Sequence, residues 1–353
     1  MVHKLILSII LIHFYTENGV GMFIFNRSVI TLKTMGYLEK RKIKLIIDTD
    51  AGGDDAVAIM MALKAHKQVE VLAITCTYGN TYVENVEKNV LKILGEAERT
   101  DIPVYRGAQR PLMDKFNATT YFGEDGFGDF QFDKNLTQTI DETMPAALAM
   151  IELTKKYPGE ISILTIGPLT NAAQATLLDP NFAKRVKQFY SMGSRVTGSA
   201  DRNGRPLQAD FNFGLDPLSD AIFFNNTRQT KISILPGMAI RKHIISVKWR
   251  REEFGRINST VVEFLNKAEK LALDKWARSD KWPPTDSVTL AVAVWPKDIV
   301  KTSSQGRMLA INCGPSKGLV NFVKNDPEGS NNIELVDDYD PIFFKKKLVD
   351  LFS

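Results

Sequence analysis

The chain is short of the residues that staple or metallate small folds. Its 353 residues hold two cysteines, Cys76 and Cys313, and four histidines. Two thiols exclude a disulfide framework. Cys76 stands in an apolar strand pattern as a buried thiol, and whether it bridges Cys313 is open from sequence. Of the histidines, His3 and His13 fall in the first residues and His66 late in a helical pattern, which leaves only His243 as a candidate site residue. Charge of one sign is lacking too. The net charge is +4, and no basic block is interleaved with aromatics, so nucleic acid is not an expected partner. Lys345-Lys346-Lys347 reads as a solvated helix face. No repeat and no low-complexity linker divides the chain.

The leading apolar run, Leu5–Ile12, is too short for a membrane-spanning helix. With His3-Lys4 before it and polar Thr16-Glu17-Asn18-Gly19 after it, it reads as a secretory signal cleaved near Gly19 or Gly21. The expected organisation is a signal peptide over 1–21, a variable leader over 22–42 and a single domain over 43–353. The alternative is a cytoplasmic form starting at Met35. Glycosylation sequons at Asn26, Asn117, Asn135, Asn225 and Asn258 favour a secreted glycoprotein that does not stay in the membrane.

From Lys44 onward apolar strands alternate with helical patterns, which predicts an α/β fold with a mainly parallel central sheet. Strands are expected at Lys44–Ile47, Val69–Thr75, Pro103–Tyr105, Ile161–Ile166, Val186–Met192 and Ile232–Leu235, with late strands at Leu309–Asn312, Leu319–Val323 and Ile333–Val336. Two helices are expected over Arg250–Ala277. The segment over about 107–142, rich in Gly, Asp and Phe, is long enough for a lid or binding loop.

One stretch concentrates the chemistry. Asp48-Thr49-Asp50-Ala51-Gly52-Gly53-Asp54-Asp55 puts four carboxylates at the end of a strand, where open α/β sheets place their ligands. Like charges this close resist joint ionisation unless a cation or donors offset them. Hard oxygen ligands without His or Cys suit Ca²⁺ or Mg²⁺. The bland alternative is a capping cluster, with Asp54 as the helix N-cap and Asp55 on the dipole. A third reading is the Asp-x-Asp pair of haloacid-dehalogenase-like phosphatases, though Ala-Gly-Gly-Asp-Asp is not how those continue.

The run resembles the N-terminal signature of the nucleoside hydrolases, the inosine-uridine-preferring family, which usually carries Pro at the position of Ala51. Further blocks follow in that family's order: Thr77-Tyr78-Gly79-Asn80, Gly123-Glu124-Asp125-Gly126, Ile166-Gly167-Pro168-Leu169-Thr170-Asn171, Met192-Gly193, Ala209-Asp210-Phe211-Asn212 and Thr285-Asp286. The resemblance implies a Rossmann-like fold with helices on both faces of the sheet. It implies hydrolysis of ribonucleosides to base and ribose, and a homo-oligomer, dimer or tetramer. By resemblance, Ca²⁺ is held by Asp50, Asp55, Asp286 and the main-chain carbonyl of Ile166. Asp50 is the general base on the metal-bound water, and Asp48 is a support. Asp54 and Asn212 hold the 2′- and 3′-hydroxyls with Asn80 nearby, Asp210 and Asn203 bind the 5′-hydroxyl, and Met192 packs on the sugar. Asp210 stands where the family commonly has Glu.

Two departures concern the leaving base. The family's histidines before Gly-x-x-Gly and before the late Asp are here Phe122 and Thr285. Without a histidine acid, stacking could activate the base, which leans the substrate toward purine nucleosides such as inosine and adenosine. Tyr121, Phe122, Phe127, Trp276 and Trp282 lie in the matching segments, with Phe122 and Trp282 the expected platform. A secreted nucleoside-binding protein without turnover is the non-enzyme alternative.

Overall fold

The computed structural model describes residues 11–16, 19–24, 42–197, 208–327 and 329–353. It falls into two compact units, Met1–Lys42 and Ile43–Ser353. In the first, β1 (Leu11–Thr16) and β2 (Gly19–Ile24) pair antiparallel.

The second unit is built on a nine-stranded sheet. Its strands are β3 (Ile43–Thr49), β4 (Val69–Cys76), β5 (Val104–Tyr105), β6 (Ile161–Thr165), β7 (Gln188–Met192), β8 (Ile232–Leu235), β9 (Val300–Ala310), β10 (Val320–Lys324) and β11 (Ile333–Tyr339). Their order across the sheet is β10-β9-β11-β8-β7-β6-β3-β4-β5. Every pairing from β11 through β5 is parallel, and only β9 against its two neighbours is antiparallel. The mainly parallel sheet expected from the alternating pattern is therefore present.

Strand periodicity sorts the core. Leu45 and Ile47 point to one face, which is covered by the helices Gly53–Lys64, Val83–Glu96, Thr285–Val294 and Pro341–Phe352. Ile46 points to the other, under Ala146–Lys156, Thr170–Leu178 and Pro217–Asn226. Both faces are covered, so β3, β6 and β8 read as continuous apolar runs.

Sequence and structure part where the apolar pattern is weakest. The strand expected at Leu309–Asn312 is the end of a longer β9, whose Lys301-Thr302-Ser303-Ser304-Gln305 is polar and largely exposed. A solvated antiparallel strand lacks the buried-run signal. Arg250–Ala277 holds the two expected helices, Thr260–Ala268 and Lys270–Trp276, preceded by the end of helix Val247–Glu252 and a 3₁₀ turn at Phe254–Arg256 that the pattern did not show. Cys76 is buried, Cys313 is exposed, and both are free. Among the described residues no helix is long and apolar enough to cross a membrane.

Chain order places the site. After β3 the chain adds β4 and β5 on one side, then returns to build β6, β7 and β8 on the other. The crevice between the carboxyl ends of β3 and β6 is the topological switch point, where open α/β sheets bind ligands.

Candidate active site

Asp50 leaves β3 at that crevice. Ala51 after it takes a left-handed backbone, φ +37°, a conformation costing about 1–3 kcal/mol outside glycine. The turn delivers the chain into helix Gly53–Lys64, whose N-cap is Gly52, not Asp54 as expected. Asp54 and Asp55 are the second and third helical residues, where the N-terminal dipole favours carboxylates.

Each carboxylate has its own holder. Asp55 accepts from Thr49 Oγ1 at 2.6 Å, from the Gly52 N–H at 2.9 Å and from Asn80 Nδ2 at 3.3 Å. Asp50 Oδ2 accepts from the Asn80 N–H at 2.7 Å. That approach explains the Thr77-Tyr78-Gly79-Asn80 block, because a Cβ on Gly79 would stand 2.1 Å from Asp50 Oδ2. Asp54 Oδ2 accepts from Thr285 Oγ1 at 3.2 Å. Asp48 lies behind, bound by Thr75 Oγ1 at 2.6 Å and Asn171 Nδ2 at 2.8 Å. Asp286, from far along the chain, joins them as the second residue of helix Thr285–Val294.

Carboxylate oxygens of Asp54, Asp55 and Asp286 all lie within 4.8 Å of one another. This tightest triple contains Asp54, expected as a ribose ligand, and not Asp50, so the expected division between metal and ribose carboxylates is not drawn in the geometry. Electrostatically all four are one cluster. Burial, then Asp55 and Asp54, pushes Asp50 well above the usual carboxylate range. Burial, then Asp54, Asp55 and Asp50, does the same to Asp286. Burial, then Asp55 and Glu269, lifts Asp54 to about 7, and burial lifts Asp55 to about 6 and Asp48 to about 7.

Asp50 Oδ1 and Asp54 Oδ1 are buried without a hydrogen-bond partner among the described residues. Unpaired anionic oxygens in a low dielectric are costly unless a cation offsets them. A divalent cation that prefers oxygen ligands therefore fits this donor set. The bland capping reading does not account for Asp286, which arrives from another helix.

Above the cluster is a cavity of about 320 Å³, lined by Asp50, Asp54, Asn80, Thr119, Tyr121, Phe122, Ile166, Met192, Phe211, Asn212, Thr285 and Asp286. Most expected site residues thus meet in one place. Asn212 donates to the Ile166 carbonyl at 2.8 Å and contacts Met192. Asp210 does not line the cavity. Its Oδ1 accepts from the Phe213 N–H at 3.1 Å as the cap of helix Phe211–Leu215, and burial lifts its pKa to about 6. Asn203 lies outside the described residues.

Trp282 needs a correction. It is 2% exposed and absent from the cavity wall. Its indole donates to Glu269 Oε1 at 2.8 Å, beside Trp249, Phe344 and the fully buried Arg250, which bonds Glu269 Oε2. Trp282 is therefore a brace for a buried ion pair and not a base platform. Glu269 in turn stands under the start of helix Gly53–Lys64, where its Cγ would be 3.1 Å from a Cβ on Gly53. Trp282→Phe is expected to cost about 1.5–3 kcal/mol in thermal unfolding, the worth of a hydrogen bond to a charged group, and to leave KM for nucleosides unchanged. A raised KM with unchanged stability would return Trp282 to the substrate. His243 is likewise occupied elsewhere, 2.6 Å from Asp338. Thr119 carries no motif signal that points to the cavity, and Phe211, which lies between Asp210 and Asn212 in a motif block, lines it as well.

The fold and site define an α/β protein with a cation-capable carboxylate cluster and an aromatic-rimmed cavity at the switch point of a parallel sheet. The chain belongs to the inosine-uridine preferring nucleoside hydrolase family, whose model matches residues 45–346. Uridine nucleosidase 1 of Arabidopsis thaliana is 35% identical over 201 residues, covering 54% of this chain and 59% of that protein. The inosine-uridine preferring nucleoside hydrolase of Crithidia fasciculata is 32% identical over 187 residues, covering 53% and 58%. The matches thus span less than two thirds of these relatives. The structure of a plant nucleoside hydrolase superposes with a TM-score of 0.77 at 29% identity, covering 88% of this chain and 98% of that one. The resemblance read from the motifs and the fold it implied are both borne out. Family membership sets aside the phosphatase reading.

Proposed function

We propose that this protein hydrolyses the N-glycosidic bond of ribonucleosides, giving free base and ribose. The observation that carries this reading is the convergence of Asp50, Asp54 and Asp286 on the floor of one cavity, with Asp55 buried beside them. Asp50, Asp55, Asp286 and the Ile166 carbonyl would hold Ca²⁺, with Asp54 close enough to share it. When bound, such a cation supplies a Lewis acid that lowers the pKa of a water.

The chain's own residues do the rest. Asp50 is fixed through Oδ2 by the Asn80 N–H, which leaves Oδ1 free to take a proton from the attacking water. Asn80, Asn212 and Asp54 present donors and acceptors to the ribose hydroxyls, and Met192 packs against the sugar. Phe122, Tyr121 and Phe211 wall the other end and shed water from the base. A larger flat base gains more stacking contact on such a wall, which favours purines. The Arabidopsis and Crithidia relatives are named for uridine and for inosine and uridine, so uridine is the comparison substrate. Secretion through the leading segment 1–21 and assembly into a homo-oligomer are proposed with this reading.

The test is ribose release from inosine, adenosine, guanosine, uridine and cytidine, with and without chelator. We expect turnover that chelator abolishes and a higher kcat/KM for inosine than for uridine. The reverse order would overturn the purine preference alone. Nucleoside binding without ribose release would make the protein a binding protein instead.

A further inference from the structure

Among the described residues that line the cavity there is no histidine, lysine or arginine, so a proton for the departing base is sought among the neutral donors. Its threonine hydroxyls are committed within the protein, and its two amides, partly engaged there, are assigned to the ribose. Thr285 Oγ1 donates to Asp54 and Thr119 Oγ1 to the Asn80 carbonyl. Asn212 Nδ2 serves the Ile166 carbonyl and Met192, and Asn80 Nδ2 serves Asp55. Tyr121 is the exception. It lines the cavity and is 41% exposed. Its hydroxyl oxygen accepts from the Trp276 indole N–H, and its own hydroxyl proton has no acceptor among the described residues.

Helix Lys270–Trp276 holds this tyrosine from two directions. Lys275 Nζ donates to the carbonyls of Thr120 at 3.1 Å and Tyr121 at 2.8 Å, and lies 5.0 Å from the Tyr121 ring centroid. The Tyr121 ring meets Phe122 edge-on at 5.1 Å. Burial, with Asp54 adding to it, holds the Tyr121 phenol above its ordinary range, so it meets the substrate protonated, and the Trp276 N–H is the neighbour that stabilises the anion left behind.

From this arrangement we infer that Tyr121 is the general acid for the leaving base. The inference rests on the hydrolase reading above. As the glycosidic bond breaks, its electron pair moves to the base. The Tyr121 O–H breaks and an N–H forms on a basic ring atom of the base. The water oxygen bonds to the anomeric carbon and gives its proton to Asp50. Solvent then carries the proton from Asp50 back to the Tyr121 phenolate, so atoms and charge balance over the cycle.

The experiment compares inosine and uridine with p-nitrophenyl riboside, whose leaving group departs without protonation, for the wild type, Tyr121→Phe and Trp276→Phe. Tyr121→Phe keeps the ring and removes only the hydroxyl. It is expected to lose about 10²-fold in kcat on the nucleosides, the usual worth of general acid catalysis, and to keep p-nitrophenyl riboside turnover. Trp276→Phe is expected to show a smaller loss with the same selectivity. Equal losses on both substrate types, or undiminished nucleoside turnover in Tyr121→Phe, would overturn the inference. A wild type that cleaves p-nitrophenyl riboside and inosine, with a fully active Tyr121→Phe, would sink the acid role and leave the hydrolase reading standing. A wild type that cleaves neither would sink both.

Discussion

Asp50→Asn is expected to lower kcat on inosine by about 10²–10⁴-fold, the range seen when a positioned base is removed, while the protein stays folded. The amide is isosteric and its oxygen can still accept from the Asn80 N–H. It also deletes one of four mutually repelling buried carboxylates, so without a bound cation it removes a cost rather than a support. Steady-state kinetics and a melt on the same sample separate the outcomes. Slow turnover, with a Tm that is unchanged or raised in cation-free buffer, is the expected pair, and near-wild-type kcat would refute Asp50 as the base. Asp48→Asn is the control. Asp48 lies behind the site on Thr75 and Asn171 and is not on the cavity wall, so its loss should be much smaller.

The sequence made the ribose and cation side of this site legible and the base side much less so, for a physical reason. Carboxylates at a strand end are chemically costly, so their crowding at 48–55 announces a purpose, and Asp286 could be attached to them through motif order. Aromatic residues carry no such signal. Trp282 and Phe122 both lie in matching segments, yet one braces a buried Arg250–Glu269 pair and the other lines the cavity. Which one faces a ligand depends on where short helices between 247 and 285 settle, which a hydrophobic pattern alone does not specify. The parallel sheet was readable because buried strands are continuous apolar runs. Polar β9 was read short because its first half faces solvent. The substitution of His by Thr at 285 also gains a meaning that sequence did not supply, since Thr285 holds Asp54.

Removing divalent cations is expected to destabilise the protein in a pH-dependent way. Burial and mutual repulsion raise the carboxyls of Asp50, Asp54, Asp55 and Asp286 above their ordinary range, with Asp54 near 7 and Asp55 near 6. Between the ordinary carboxylate pKa and these raised values, the folded chain binds protons that the unfolded chain has released. Stability without cation therefore falls as pH rises from about 4 to about 7. Other carboxyls run the opposite way: Asp101, Asp179 and Asp340 are held low by Arg99, by Arg185 and by backbone N–H groups, and they lose their contribution only in acid below that window. Asp48 and Asp210, lifted by burial to about 7 and about 6, and Asp220 and Glu269, also raised by burial, run the same way as the cluster, so comparing pH 5 with pH 8 reads the buried carboxyls together and the Asp286→Asn variant separates the cluster from them. Cation-stripped protein should melt lower at pH 8 than at pH 5. Ca²⁺ at about 100 times its Kd adds about 2.7 kcal/mol, and a domain of this size gains about 1.5 °C per kcal/mol, so the rise at pH 8 is about 4 °C. At pH 5 the cation competes with protons for the same oxygens, so the rise should shrink. Asp286→Asn should flatten both the pH dependence and the Ca²⁺ response. A cation-stripped protein that is equally stable at both pH values, with no Ca²⁺ effect, would mean that the four carboxylates are neutralised by some means other than a bound cation.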